Sequence, residues 1–234
     1  MAGVSSLAVS SQTTNSTQYR TGSFTPHASS VLVAFVAASG TGAQNCFLEI
    51  TTEPWRRFTL VTTAQWAAST NLLCAWVANG PSTGAACVAR FDCASDAATG
   101  AIIQIFEVTS VSRVGSDLIR QKAVQLNRAS STRPNPTFSI NTSSVNTIFG
   151  AVANSSTLAA MQPPTSWVES FDTGYATPST GLETVRLNSG ATSTVITWGS
   201  SSSSLNCSIV MEIDTTVPDQ RMGAICDVEL IRVY

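Results

Sequence analysis

The chain has 234 residues, of which 43% are hydrophobic and only 11% charged, with a formal net charge of −2. That length buries a full core as one domain. The charge balance excludes a general attraction to phosphate backbones, because Lys122 is the only lysine and the arginines are scattered apart from the pair Arg56 and Arg57.

Ser and Thr make up about a quarter of the chain, so solubility falls to hydroxyls rather than charges. Residues 1–23 are Ser, Thr, Gln and Asn with few apolar anchors, which predicts a polar N-terminal arm or an edge strand. An arm of this kind would order on docking to a partner. The start Met1-Ala2-Gly3-Val4 has neither a basic segment nor an apolar stretch of export-signal length, and no run of about eighteen apolar residues follows. Neither an export signal nor a bilayer span is therefore expected.

From Phe24 onward, apolar runs of strand length alternate with Gly, Pro, Ser, Asn and Asp clusters, the spacing of an all-β antiparallel sandwich over residues 24–234. Val31 to Ala38 (VLVAFVAA) and Ala101 to Val108 (AIIQIFEV) are apolar on both faces. They are predicted to be central strands, or strands covered by a neighbouring subunit. Ile209 to Asp214 alternates, with Ile209, Met211 and Ile213 on one face and Glu212 and Asp214 on the other, which predicts a solvent face carrying both acids. Cys226, Val228 and Leu230 oppose Asp227 and Glu229 in the same manner.

The signals also recur in order. VLVAFVAASG, then Trp55 to Phe58, a run ending in Trp76 and IIQIFEVTS are followed later by IFGAVANSS, Trp167 to Phe171, a strand ending in Trp198 and CSIVMEIDT. A sandwich built from two similar halves fits Greek-key or jelly-roll architecture.

Cysteines lie at 46, 74, 87, 93, 207 and 226 with no C-x-x-C spacing, so zinc is not expected and the thiols read as small buried hydrophobes. Disulfide pairing stays open. The four N-x-[ST] triplets at Asn15, Asn141, Asn154 and Asn206 carry no information in so hydroxyl-rich a chain.

The segment Phe24-Thr25-Pro26-His27-Ala28-Ser29-Ser30-Val31-Leu32-Val33-Ala34-Phe35-Val36 resembles the opening of a family of tailed-phage structural domains, F-x-P-x-x-x-S-[LV]-L-V-A-x-V. Trp55 with Phe58, the stretch from Trp66 to Trp76, and the strand closings Phe106-Glu107-Val108 and Met211-Glu212-Ile213 resemble later parts of those domains. The resemblance implies a jelly-roll or lectin-like sandwich located in a virion and assembled as a homotrimer. Its partners would be the major capsid protein or tail proteins. Without fibre repeats, a capsid decoration or cement protein is expected, with a tail-fibre or tail-tip receptor-binding protein as the rival.

Candidate chemistry is sparse. His27 is the only histidine, which rules out a histidine-cluster metal site, and no G-x-S-x-G elbow gives it a nucleophile, so a solvated turn histidine is expected. Glu212 and Asp214 share a strand face as in jelly-roll glycoside hydrolases, yet the further carboxylate expected two residues on is Thr216. Trp55, Trp66, Trp76, Trp167 and Trp198 would stack on a host glycan if they lined one concave face, although Trp76 and Trp198 read as core. Asp92 with Asp96 makes a poor calcium loop. No enzyme, catalytic residue, metal, cofactor, nucleic-acid or membrane partner is expected.

Overall fold

The computed structural model describes residues 3–39, 44–66, 71–93, 98–109, 111, 115–127, 133–154, 161–174, 181–199 and 205–215. The strand-like run at Cys226 to Leu230, together with Thr216 and Asp96, lies outside them.

The protein is all-β and antiparallel. Its first half carries nine strands: β1 (Val4–Gln12), β2 (Gln18–Arg20), β3 (Val31–Ser39), β4 (Gln44–Ile50), β5 (Arg56–Arg57), β6 (Thr59–Trp66), β7 (Asn71–Asn79), β8 (Cys87–Cys93) and β9 (Gly100–Val108). After a 3-10 turn at Gly115–Leu118, the second half carries β10 (Ile119–Asn127), β11 (Thr147–Asn154), β12 (Val168–Gly174), β13 (Gly181–Leu187) and β14 (Asn206–Ile213). These form sheet I (β1-β9-β3-β7-β6), sheet II (β2-β8-β4-β5) and sheet III (β10-β14-β11-β13-β12).

Sheets I and II face each other in the jelly-roll arrangement, with β6 added at one edge of sheet I. Leu32, Ala34 and Val36 on one side and Cys46, Leu48 and Phe91 on the other fill the space between them. The opposite face of sheet I packs on sheet III, where Val33, Phe35 and Phe106 meet Phe149, Ile209 and Met211. Phe106 joins the two rolls directly, with its ring centroid 5.1 Å from that of Phe149 and 6.3 Å from that of Phe35. The layers therefore run II, I, III. This order explains why VLVAFVAA and AIIQIFEV are apolar on both faces: β3 and β9 lie inside sheet I, and sheets of the same chain cover both of its sides.

The two halves repeat one topology. Numbered in chain order within each sheet, the five strands of sheets I and III both run first, fifth, second, fourth, third. Registers match as well, since Leu32 faces Glu107 where Ile148 faces Glu212. The bulge between Leu60 and Thr62 on β6 recurs between Glu169 and Phe171 on β12. Lys122 on β10 donates to the Val61 carbonyl in the first of these bulges, tying the two rolls at one edge.

Among the described residues, sheet III has no counterpart of sheet II. Its outer face is covered instead by irregular chain, in which Phe138 N–H donates to Thr194 (2.9 Å), Ile196 N–H to Pro136 (3.0 Å) and Trp198 N–H to Pro134 (3.0 Å). Phe138, Met161, Ile196 and Trp198 close this third core over Ile148, Val152, Val185 and Val210. Trp198 is thus core as expected, but it sits in this irregular layer and not at the end of a strand. β13, which matches β7 in order, ends earlier at Leu187, and its Val185 stands where Trp76 stands in the first roll. Gly150 leaves room for the indole, because a Cβ there would come within 3.1 Å of Trp198 and 2.9 Å of Val185.

Residues 4–12 form the edge strand β1, paired with β9 on either side of a bulge at Leu7. Val4, Leu7 and Ala8 pack on the cores of the same chain.

Candidate functional site

The expected solvent face on β14 does not exist. Glu212 is fully buried because the irregular layer covers that side of sheet III. Asp214 lies beyond the strand, half-buried, with its N–H donating to Leu118 at 2.8 Å. The two acids therefore do not form a pair on one open face.

Glu212 instead braces a loop. Its carboxylate accepts from Ser143 N–H (2.7 Å), Asn146 Nδ2 (2.8 Å), Gln121 Nε2 (2.6 Å) and Arg120 Nη1 (2.7 Å). Burial alone would raise its pKa, and these four donors overcome that and hold it below the usual carboxylate range.

Glu107 does the same at the matching place in the first roll. It accepts from the His27 N–H (2.5 Å), from His27 Nδ1 (2.8 Å) and from Ser5 Oγ (3.2 Å). Again burial opposes ionisation, and the His27 donors hold the pKa low. His27 and Ser143 each stand four residues before their strand, and Ser5 and Gln121 are each the register partner of the glutamate. The lone histidine is solvated on its outer side, with its side chain 77% exposed, while Nδ1 serves this brace. The sequence did carry a signal for the pair: Phe-Glu-Val and Met-Glu-Ile close the last strand of each half.

A second acidic group, not flagged by the sequence, lies on the outer face of sheet III. Glu183 on β13 is buried and its register partner on β12 is Asp172. Burial, with Asp172 and Glu169 nearby, pushes the Glu183 pKa up to about 9. Burial and Glu169 raise Asp172 to about 6. The Trp198 side chain opposes the rise at Glu183 in part, and among the described residues neither Glu183 carboxyl oxygen nor the indole N–H makes a hydrogen bond. At neutral pH Glu183 is therefore a protonated, inaccessible acid.

The tryptophans do not share one concave face. Trp66, Trp76 and Trp198 are buried, Trp167 is half-buried beside the groove between residues 164–167 and 189–197, and Trp55 is 57% exposed. Trp55 lies over the outer face of sheet II, and this face holds a cluster of paired charges. Across the four strands, Arg20, Arg90, Phe47 and Arg57 form one row. The Arg90 guanidinium is 4.8 Å from the Phe47 ring centroid and 4.9 Å from that of Trp55. It also pairs with Glu49 and Asp92, both at 2.9 Å, and Glu49 reaches Arg20 at 3.2 Å. Asp92 is thus an ion-pair partner of Arg90. Arg57 hydrogen-bonds Asn45, and Arg56 at the rim pairs with Glu53 at 2.5 Å.

Cys46, Cys74, Cys87, Cys93 and Cys207 are buried free thiols, as read from the apolar runs that hold most of them. Burial raises the pKa of each, to about 12 for Cys74 and about 11 for Cys87 and Cys93. Among the described residues, no three His, Cys, Asp or Glu side chains are grouped to hold a metal ion, and no helix is long and apolar enough to cross a membrane. Comparison of the chain with protein-family models, curated proteins and solved structures finds no match in any of the three.

Proposed function

We propose that this chain is a virion structural protein, a capsid decoration or cement protein that binds the particle shell as a homotrimer and catalyses no reaction. The observation that carries the reading is the use to which the buried polar groups are put. Glu107 and Glu212 sit at equivalent places in two sheets of identical strand order, and each uses its charge to fix the loop before β3 or β11. Chemistry of this kind builds a rigid block. The two rolls are locked through an apolar interface, while the exterior is rich in hydroxyls and poor in charge. The strand motifs that resemble tailed-phage structural domains add the particle. Homotrimers follow from that resemblance and from symmetry, because closed rings of identical subunits suit local symmetry axes. A second placement, on the tail as a receptor-binding protein, is supported by the exposed Trp55 on its ordered arginine.

The test is addition of purified chain to particles prepared without it, followed by sedimentation and by light scattering of the free protein. Trimers that bind saturably at a fixed ratio to the shell protein are expected. Binding to tails alone would move the assignment to the second placement. Absence of binding to either would refute the virion reading.

A further inference from the structure

We propose that the outer face of sheet II binds an acidic oligosaccharide, with Trp55 stacking on a sugar ring and Arg57 meeting a carboxylate. The face does not depend on where in a particle the chain sits. It is the outermost layer of the II, I, III stack, so no other part of the described chain covers it.

The first argument is the state of Trp55. One face of the indole rests on the Arg90 guanidinium, yet the residue stays 57% exposed, which leaves the other face to solvent. Arg90 itself is held from several directions, by the Phe47 ring and by the carboxylates of Glu49 and Asp92, and its side chain is only 12% exposed. A large apolar ring is thus presented to water in a fixed place on a β-sheet. A ligand that stacks there pays little ordering entropy, because its platform is already rigid. Sugar rings offer a matching surface, a face of C–H groups rimmed by hydroxyls.

The second argument is charge. Among the described residues this face gathers three arginines, Arg20, Arg57 and Arg90, against two carboxylates, Glu49 and Asp92, in a chain whose formal net charge is −2. Both carboxylates are engaged by Arg90, and Glu49 by Arg20 as well. Arg57 is exposed, and its hydrogen-bond partner is the neutral amide of Asn45. The excess is therefore positive and lies at the solvent edge. The forked donors of a guanidinium match a carboxylate in plane. An acidic sugar supplies both the stacking face and the anion, and its binding should weaken with salt.

The experiment uses the full chain and calorimetric titration with oligogalacturonate, alginate oligomers and hyaluronate oligomers, each beside its carboxyl-reduced counterpart. At least one acidic oligomer should bind and lose about tenfold or more in affinity on carboxyl reduction. Trp55→Ala and Arg57→Gln should each weaken it by about tenfold or more with an unchanged melting temperature, since both side chains are exposed. Trp167→Ala, beside a different groove, should leave binding unaltered. The proposal is overturned if no acidic oligomer binds, if the reduced counterpart binds equally, or if Trp55→Ala changes nothing. Loss of shell or tail attachment by Trp55→Ala, without oligosaccharide binding, would give the face to a protein partner and overturn it as well.

Discussion

Replacing Glu183 by Gln should reverse sign between mild acid and mild alkali. The folded protein holds a proton on Glu183 up to about pH 9, whereas the unfolded chain releases it near the ordinary value of 4.5. The folded pKa is raised, so the full stability is present below about pH 4.5 and is lost as pH climbs toward the folded value. The loss runs at about 1.4 kcal/mol per pH unit, an upper figure of about 5 kcal/mol by pH 8. Gln keeps the shape and cannot ionise, but it buries amide donors in a place without acceptors, at a cost of about 1–3 kcal/mol. Glu183→Gln should therefore be less stable than wild type at pH 5 and more stable at pH 8. In a protein of this size each kcal/mol moves the melting temperature by about 2–4 °C. Thermal melts at half-unit steps from pH 5 to 8 should show the wild-type temperature falling more steeply than the variant's, whose smaller decline comes from Asp172, so that the curves cross. Parallel curves would refute the assignment of a protonated buried Glu183.

Other outcomes follow from the same geometry. Glu107 and Glu212 have lowered pKa values, so the stability they give is present above about pH 4.5 and lost as pH falls through the folded values; melting temperature should drop on acidification below pH 4. Glu212→Ala strips the partner from Arg120 and three further donors, and urea titration should find a loss of about 3–5 kcal/mol. Trp198→Ala empties the core over Gly150, with an expected cost of about 3–5 kcal/mol by the same titration. At pH 8 the five buried thiols should resist alkylation in the native state and react on denaturation, as read by peptide mass mapping.

Much of the strand architecture was legible because apolar periodicity is a local property. IFGAVANSS and CSIVMEIDT correspond to VLVAFVAASG and IIQIFEVTS as β11 and β14 correspond to β3 and β9, and the repeat emerges as two sheets with one strand order. Alternation in β14 correctly separated Glu212 from Met211, but it could not say that the acid's side was covered. Over Glu212 the cover is the loop carrying Ser143 and Asn146, and further along the same face it is residues 134–138 and 194–198, none of which carries a strand pattern of its own. Trp198 was read as strand for that reason. Glu183 escaped notice because Gly181–Leu187 looks like any half-exposed strand until β12 sets Asp172 opposite it. The Trp55–Arg90 contact spans 35 positions and depends on β4 and β8 pairing, so no local pattern foretells it.

Quantitative mass spectrometry of purified particles, counting copies of this chain against the major shell protein, tests the virion assignment most directly. The account predicts a fixed stoichiometry of many copies per particle, in multiples of three. Particles that are complete and infectious yet contain none of it would contradict the account.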